Sequence, residues 1–287
     1  MKHTDQLQRY LFDKADVRGE LVQLEDSYQQ ILATHQYPAP VQRLLGELQA
    51  ATAMLTATLK FEGEIAVQMQ GDGPVSLAVI NGDHRHVMRG VARFEGEIID
   101  GDLQQLIGKG HLVITITPTD GERYQGIVAL DQPTLAANIE QYFAQSEQLN
   151  TRIWLHANGQ FACGMLLQQM PASNIIATVD FSHLEALTDT IKAEELYQLP
   201  FTEVLYRLYH EESIQMFEGA QVRFACRCSR ERSLAALQSI SQAEREEMVA
   251  EMGQITMHCD YCNSTYQFDA IDIAAIGQTS APNQTQH

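Results

Sequence analysis

Four of the five cysteines lie close to the C-terminus in two pairs, and their spacing is the strongest chemical pattern in the chain. Cys226 and Cys228 form a C-x-C pair, and Cys259 and Cys262 form a C-x-x-C pair. Residues two apart in an extended segment point to the same side, so the first pair can present both sulfurs to one ion. The second pair has the turn spacing of zinc ribbons. Four thiolates satisfy tetrahedral Zn²⁺ without water, so we expect one zinc ion in a closed, non-catalytic site of the reduced protein.

The segment around these cysteines is small and polar, so apolar burial alone cannot stabilise it. Zinc binding and folding of the segment are therefore expected to be nearly one event. Thiolates are also the form of cysteine that peroxide attacks, and a disulfide cannot bind zinc as two thiolates can. Each pair is close enough in sequence to close on itself. The spacing thus leaves two alternatives open, a reversible redox switch and a purely structural zinc site.

Composition limits the classes of protein to which the chain can belong. The formal net charge is −18 and the isoelectric point is about 4.8, which disfavours binding to nucleic acid phosphates. The first residues lack the apolar region of a secretory signal, and no apolar run is long enough to span a membrane. Clustered cysteines in a reducing compartment indicate metal or redox chemistry. We therefore expect a soluble, cytoplasmic protein that binds neither membranes nor nucleic acids.

The sequence before the cysteines predicts an α+β fold. An opening strand is expected at residues 16–24, followed by a helix at residues 41–60 that is apolar around most of its circumference. Such a helix is usually buried on more than one side, here between two sheets. Asn-Gly dipeptides at residues 81–82 and 158–159 predict hairpin turns. Successive antiparallel hairpins with few helices favour α+β over a parallel α/β fold.

Three regions follow from these patterns. Residues 1–176 form the antiparallel-sheet core domain with its buried helix, and Cys163 is an inert cysteine buried in one of its strands. Residues 177–225, here called the connector, contain short helices with apolar stripes that need a surface to pack on. The first of these helices should begin at a capping box from Ser182 to Glu185, and Pro200 should end it. Residues 226–287, the cysteine module, end in a polar tail from residue 277 that is expected to be disordered.

With these features established, the chain resembles the redox-regulated heat-shock chaperone of thirty-three kilodaltons, a family of bacterial holdases. The resemblance runs nearly from end to end, and the cysteine module is its most specific part. The stretches that carry it are QGDGP at residues 70–74, YQGIV at 124–128, QSEQL at 145–149, GMLLQ at 164–168, FACRCS at 224–229 and HCDYC at 258–262.

The resemblance implies a function without enzymatic activity. The reduced, zinc-bound form is expected to be inactive, and oxidative stress is expected to produce the disulfides Cys226–Cys228 and Cys259–Cys262 and to release zinc. The module and the connector then loosen and expose apolar surface that holds unfolding client proteins without ATP. The oxidised form is expected to form homodimers. Thiol-reducing systems then reverse the switch, and clients pass to ATP-dependent foldases.

The sequence disfavours two other functions. A zinc ribbon that binds nucleic acid is disfavoured because residues 226–287 contain four arginines, no lysine and eight acidic residues. A dithiol oxidoreductase that uses Cys259 and Cys262 is also disfavoured. Redox C-x-x-C motifs normally begin a helix after a strand, whereas this pair lies in a small polar module with a second dithiol.

Overall fold

The structure is a computed structural model that describes residues 5–59, 62–171 and 179–278. Its contacts divide the chain into two compact units, Met1–Ala225 and Cys226–His287. The predicted boundary between residues 176 and 177 falls outside the described residues, so the division into core and connector stays a prediction. Most of the predicted disordered tail lies outside them too.

The first unit contains twelve described strands and seven described α-helices. The strands are β1 (Gln6–Phe12), β2 (Val17–Leu24), β3 (Gly63–Gly71), β4 (Val75–Asp83), β5 (Val87–Phe94), β6 (Gly110–Pro118), β7 (Tyr124–Ala129), β8 (Thr151–Ala157), β9 (Ala162–Gln169), β10 (Ile214–Met216), β11 (Ala220–Gln221) and β12 (Arg223–Phe224). The helices are α1 (Asp26–Leu32), α2 (Ala39–Ala57), α3 (Leu103–Ile107), α4 (Leu135–Tyr142), α5 (Phe181–Thr188), α6 (Ala193–Gln198) and α7 (Phe201–Tyr209), and a π-helical turn, Phe143–Glu147, follows α4.

These strands form two sheets. Sheet A has the order β10-β1-β2-β9-β8, with β11 also paired to β1, and sheet B has the order β12-β5-β4-β3-β6-β7. The described pairs are antiparallel except for β12 with β5, which is parallel. Five pairs of consecutive strands are neighbours in a sheet, as hairpin connections require: β1–β2, β3–β4, β4–β5, β6–β7 and β8–β9. The predicted α+β class with an antiparallel core is confirmed.

Helix α2 lies between the two sheets, as its apolar circumference predicts. It contacts β2, β8 and β9 of sheet A and β3, β4 and β5 of sheet B. Its two buried threonine hydroxyls are satisfied within the helix, because Thr52 and Thr56 donate to the carbonyls of Leu48 and Thr52, each at 2.7 Å. The helix starts at Ala39, with Pro40 in its first turn, where a missing N–H costs nothing.

One predicted turn is wrong. The Asn-Gly dipeptide at residues 81–82 lies inside β4, where it pairs with β3 and β5. The chain turns at residues 83–86 instead. The Asp83 carboxylate accepts hydrogen bonds from the backbone N–H groups of Arg85 and Val87 at 2.9 and 3.0 Å, which stabilises the turn.

Gly82 serves the packing of α2 and not a turn. A Cβ atom at this position would lie 2.8 Å from Thr56 Oγ1 and would push the helix away from sheet B. The second predicted Asn-Gly turn is confirmed, because residues 158–161 connect β8 to β9. There Gly159 has a φ of +84°, and the Asn158 side chain accepts hydrogen bonds from two backbone N–H groups.

The first strand of sheet A was not predicted. The predicted opening strand at residues 16–24 corresponds to β2, but β1 precedes it and pairs with it through a hairpin. Leu7 of β1 faces the core that contains α2, whereas Tyr10 and Phe12 face the opposite side of the sheet. Because both faces of β1 are covered, its sequence lacks the simple alternation that identifies a half-exposed strand.

The connector helices α5, α6 and α7 pack on the face of sheet A opposite α2. Their contact with the sheet is apolar, and we call it the outer-face cluster. Its buried members are Tyr10, Phe12, Ala15, Val17, Leu21, Cys163, Met165, Leu167, Phe181, Leu184, Leu196, Phe201, Val204, Leu205, Leu208 and Tyr209. Sheet A is therefore a surface on which the apolar stripes of the connector pack.

Polar contacts fix these helices. Gln23 Nε2 of β2 donates to the carbonyls of Leu196 and Leu199 at 2.6 and 2.7 Å, which ties the α6–α7 turn to the sheet. The predicted capping box is wrong, since α5 begins at Phe181 and Glu185 pairs with Arg152 instead, at 3.1 Å. The prediction that Pro200 ends this first helix is also wrong, because α5 ends at Thr188. A separate helix, α6, follows it, and Pro200 lies between α6 and α7.

The second unit is small. It contains α8 (Arg230–Leu237), α9 (Gln242–Met252), the hairpin of β13 (Ile255–His258) and β14 (Thr265–Phe268), and α10 (Ala270–Gln278). Helix α9 has a full capping box, in which Ser241 and Glu244 bond each other's backbone N–H groups. The backbone of the first two residues of the predicted disordered tail, 277 and 278, belongs to α10.

Candidate metal centre

Two local structures present the four cysteines. Cys226 and Cys228 lie in a segment without regular structure just before α8, whose N-terminus is capped by the Ser229 hydroxyl. Cys259 and Cys262 lie in the tight turn between β13 and β14. In that turn the Cys259 carbonyl accepts hydrogen bonds from the N–H groups of Cys262 and Asn263 at 3.4 and 2.8 Å.

The four sulfurs converge on one point. All of them lie within 4.8 Å of one another, and they form the one group of metal-binding side chains that the described residues contain. The sulfurs of Cys226 and Cys259 are 3.5 Å apart, and those of Cys228 and Cys262 are 3.3 Å apart. A tetrahedral ion with metal–sulfur bonds of about 2.3 Å holds its ligands about 3.8 Å apart. The arrangement can therefore hold a metal ion.

Hydrogen bonds around the sulfurs make them unequal. Burial raises the pKa of Cys226 to about 12. Burial also disfavours ionisation of Cys262, but hydrogen bonds with the side chain and backbone of Ser264, and with Cys228 and Cys226, outweigh it and lower the pKa of Cys262 to about 6. The phenol of Tyr266 donates to Cys228 Sγ at 3.1 Å, and this bond raises the pKa of Tyr266 to about 12. A bound dication would stabilise all four thiolates together.

Ser264 and Tyr266 were not identified from the sequence, although a signal was present. They follow Cys262 at intervals of two residues, and alternation along an extended segment places such residues on the same side. Outer-sphere hydrogen bonds of this kind orient ligands and tune a metal site.

The unit that carries the site has little apolar core. Its buried apolar side chains are Leu237, Val249, Ile255, Phe268, Ile273 and Ile276. Polar contacts add to this core, since Arg230 pairs with Asp272 at 2.6 Å and lies over the Phe268 ring, 4.8 Å from its centroid. Surface ion pairs contribute little stability, so a metal bound by the four cysteines would be a large part of what holds the unit together.

The fifth cysteine lies outside this cluster. Cys163 is buried in β9, as predicted, and burial raises its pKa to about 12, which disfavours the reactive thiolate form. His258 adjoins Cys259, but its Nδ1 lies 3.1 Å from the hydroxyl of Thr265.

The C-x-x-C pair occupies a hairpin turn and does not begin a helix, which is unlike the setting of dithiol oxidoreductases. Among the described residues, no helix is both long and apolar enough to cross a membrane.

Comparison with known proteins gives a consistent result. The model of the Hsp33 protein family matches residues 5–269. The 33 kDa chaperonin of Shewanella woodyi is 62% identical over 284 residues, which cover 98% of this chain and 99% of the relative. The 33 kDa chaperonin of Photobacterium profundum is 58% identical over 285 residues, which cover 97% of each chain.

A solved structure has the same fold. The crystal structure of the 33 kDa chaperonin (heat shock protein 33 homologue) from Thermotoga maritima matches with a TM-score of 0.83 and covers 96% of this chain and 98% of that chain. At 22% sequence identity this likeness concerns the fold alone. The family model and the close relatives, which span nearly the whole chain, show that the protein belongs to the Hsp33 family.

Proposed function

We propose that the chain is a redox-regulated, ATP-independent holdase of the bacterial cytoplasm that binds unfolding proteins under oxidative stress and has no enzymatic activity. Membership of the Hsp33 family and the names of its relatives support a chaperone function. The observation that carries the regulatory part is the convergence of four cysteine sulfurs within 4.8 Å, in a unit with a small apolar core.

The proposed cofactor is one Zn²⁺ ion, bound by Cys226, Cys228, Cys259 and Cys262. Four sulfur ligands around a tetrahedral centre favour zinc among the common metals of proteins that lack inorganic sulfur. Zinc would neutralise the thiolates and crosslink the segment before α8 to the β13–β14 turn. The chain supplies the ligands, and Tyr266 and Ser264 orient two of them.

Oxidation would remove the ligands in pairs. In the proposed reaction Cys226 joins Cys228 and Cys259 joins Cys262, and each new disulfide gives two electrons to an oxidant such as peroxide, which is reduced to water. Sulfurs also lie close together in another combination, at 3.5 Å for Cys226 with Cys259 and 3.3 Å for Cys228 with Cys262. Mapping the disulfides of the oxidised protein by mass spectrometry therefore tests the proposed pairing directly.

Loss of zinc would unfold the cysteine module and loosen the connector. Helices α5, α6 and α7 are short, so they depend on their packing against sheet A more than on their own stability. Their release would expose the outer-face cluster, which is large and apolar, to clients. We further propose that the oxidised form is a homodimer. Thiol-reducing systems would restore the inactive form and let clients pass to ATP-dependent foldases.

The test compares reduced and oxidised protein in one aggregation assay. A heat-unfolded client is followed by light scattering while zinc release is recorded with a chromogenic chelator and exposed apolar surface with ANS. We expect oxidation to release one zinc ion per chain, to raise ANS fluorescence and to suppress aggregation. Equal suppression by both forms would leave a structural zinc site without a switch. Complete zinc loss without a rise in ANS fluorescence would contradict the coupling of module and connector.

A further inference from the structure

Residues 214–224, which we call the edge segment, cover one edge of each of the two sheets. The first part of this segment pairs with β1 of sheet A: Phe217 N–H donates to the Arg9 carbonyl at 3.0 Å. Asp13 N–H donates to the Ser213 carbonyl, also at 3.0 Å, just before the edge segment begins. Without the edge segment β1 would be the outermost strand of sheet A.

The second part of the edge segment crosses to sheet B. Val222 N–H donates to the carbonyl of Asp5 at 2.7 Å, and Arg223 N–H donates to the carbonyl of His86 at 3.0 Å. Between these contacts the Val222 side chain, 1% exposed, enters the core between the two sheets. One continuous run of chain thus covers the edge of β1, the edge of β5 and the end of the core that they flank.

The edge segment pairs with most of β1 but with little of β5. Strands β10 and β11 pair with five of the seven residues of β1, whereas β12 pairs with two of the eight residues of β5. Open edges of this length present unpaired N–H and C=O groups that bind any extended chain. In sequence the edge segment ends at Phe224, two residues before Cys226. It is therefore the part of the connector nearest to the proposed redox switch along the chain.

We infer that the edges of β1 and β5 form a client-binding site that takes an extended apolar segment of an unfolding protein by strand addition, in place of the edge segment. This inference rests on the proposed function, because the edge segment must leave when the connector loosens. Unfolding proteins supply such segments, and backbone pairing recognises them without requiring one particular sequence. The edges then bind only in the activated protein, since the chain's own strands fill them before that.

The contacts of the edge segment define what the client segment should look like. An aromatic side chain suits the position of Phe217, whose ring lies 5.8 Å from the guanidinium carbon of Arg9. The carbonyl at that position accepts a hydrogen bond from Gln8 Nε2 at 2.6 Å. The position of Val222 is buried and requires a small apolar side chain, because a charge there would be desolvated without a partner.

Hydrogen exchange of the full-length chain tests the inference without any substitution. Oxidation should expose the amides of β1 and β5 to exchange, and addition of an unfolded client should slow their exchange again by about tenfold or more. Equal exchange with and without client, while aggregation is still suppressed, would overturn this inference but not the proposed function. Protection that returns on oxidation without client would assign the site to a second copy of the chain and not to clients. If oxidised protein suppresses no aggregation, the proposed function is wrong and this inference with it.

A peptide supplies an independent probe. A synthetic peptide with the sequence of residues 213–225 should compete with clients for the vacated edges and reduce the suppression of aggregation by the oxidised chain at least severalfold. The same peptide with Val222→Asp is the matched control and should compete poorly, because its charge cannot enter the core. Absence of competition by the unchanged peptide would count against the site.

A backbone variant separates strand addition from binding to an apolar face. The backbone groups of Arg9 and Asp13 form hydrogen bonds with residues 217 and 213. Leu11 lies midway between them, so strand alternation directs its N–H to the same side, towards the edge segment. Leu11→Pro removes this donor, whereas Leu11→Ala retains it. Oxidised Leu11→Pro should suppress aggregation at least about threefold less than Leu11→Ala. Equal suppression by the two variants would contradict strand addition at β1.

Discussion

Tyr266 donates a hydrogen bond from its phenol to the sulfur of Cys228 across 3.1 Å. The bond links strand β14 to the segment before α8, so it connects the two structures that present the cysteines. A phenol in this position stabilises negative charge on the sulfur while leaving the sulfur free to bind metal. Tyr266 is therefore expected to set both the metal affinity of the site and the reactivity of Cys228.

The variant Tyr266→Phe removes this hydrogen bond and little else. We expect zinc affinity to fall about tenfold, the lower end of the range for outer-sphere substitutions. Thiol oxidation by peroxide should become faster, because weaker zinc binding leaves the cysteines less protected by the metal. Competition with a chelator measures the affinity, and quantification of free thiols with time measures the rate. Tyr206→Phe, at an exposed position of α7, is the control and should leave both unchanged.

Substitution of one cysteine should separate metal ligands from the core thiol. Cys262→Ser removes one of the four converging sulfurs, so zinc content at micromolar zinc should fall from one ion per chain to nearly none, and amides of residues 226–278 should exchange faster. Cys163→Ala should retain zinc, because Cys163 is buried in β9. Metal analysis and hydrogen exchange provide the readouts. A Cys262→Ser protein that retains stoichiometric zinc would contradict the proposed ligand set.

Gln23 is expected to hold the connector on sheet A. Gln23→Leu leaves the carbonyls of Leu196 and Leu199 without their donor, at a cost of about 1–3 kcal/mol in the stability of the α6–α7 turn. Amides of α6 and α7 should then exchange faster in the reduced protein, and a milder oxidant or lower temperature should suffice for activation. Gln198→Ala, an exposed position on α6, is the control. An unchanged activation threshold in Gln23→Leu would show that this turn does not limit release.

Glu20 should make the first unit less stable as the pH rises. Its carboxyl is buried in sheet A, and burial raises its pKa from 4.5 to about 7, although Arg18 and Arg9 oppose the shift. The folded state therefore binds this proton more tightly than the unfolded state. Stability attributable to Glu20 is highest below pH 4.5 and falls until the pH passes about 7, by about 3 kcal/mol in total.

Glu20→Gln should remove most of this pH dependence. At pH 8 the variant should be more stable than the parent, whereas near pH 4.5 the two should be similar. Urea unfolding at a series of pH values measures the difference. Glu122→Gln changes the net charge equally at an exposed position and should leave the profile unaltered. A parallel shift of the whole curve in Glu20→Gln would point to packing and not to titration.

The sequence predicts best those parts of the structure that a single physical requirement determines. The four cysteines are informative because ligand chemistry restricts residue type and spacing together. Helix α2 is informative because apolar side chains surround it, and only burial between two layers satisfies such a helix. The turn at residues 158–159 was predicted correctly because the positive φ of Gly159 is a local requirement.

The errors arise where long-range contacts override a local signal. The Asn-Gly dipeptide at residues 81–82 has the composition of a turn, but Gly82 is needed for the approach of Thr56, which is 26 residues earlier in the sequence. Strand β1 was missed because only one of its partners, β2, is near in sequence. The others, β10 and β11, come much later in the chain. The surface on which the connector packs could not be predicted either. Leu184 and Leu208 belong to apolar stripes, and such a stripe does not indicate which surface it will pack against.

Helix α2 has a consequence for the synthesis of this protein. From Leu48 to its end at Ala57 it carries no charged side chain, and sheet A, which covers one side of it, is incomplete until β9 has been made. At typical rates of translation the ribosome needs on the order of 10 s to reach the end of β9 after finishing α2. During that interval the nascent chain displays the same kind of apolar surface as an unfolding protein. A chaperone of this fold is therefore itself expected to depend on other chaperones at the ribosome.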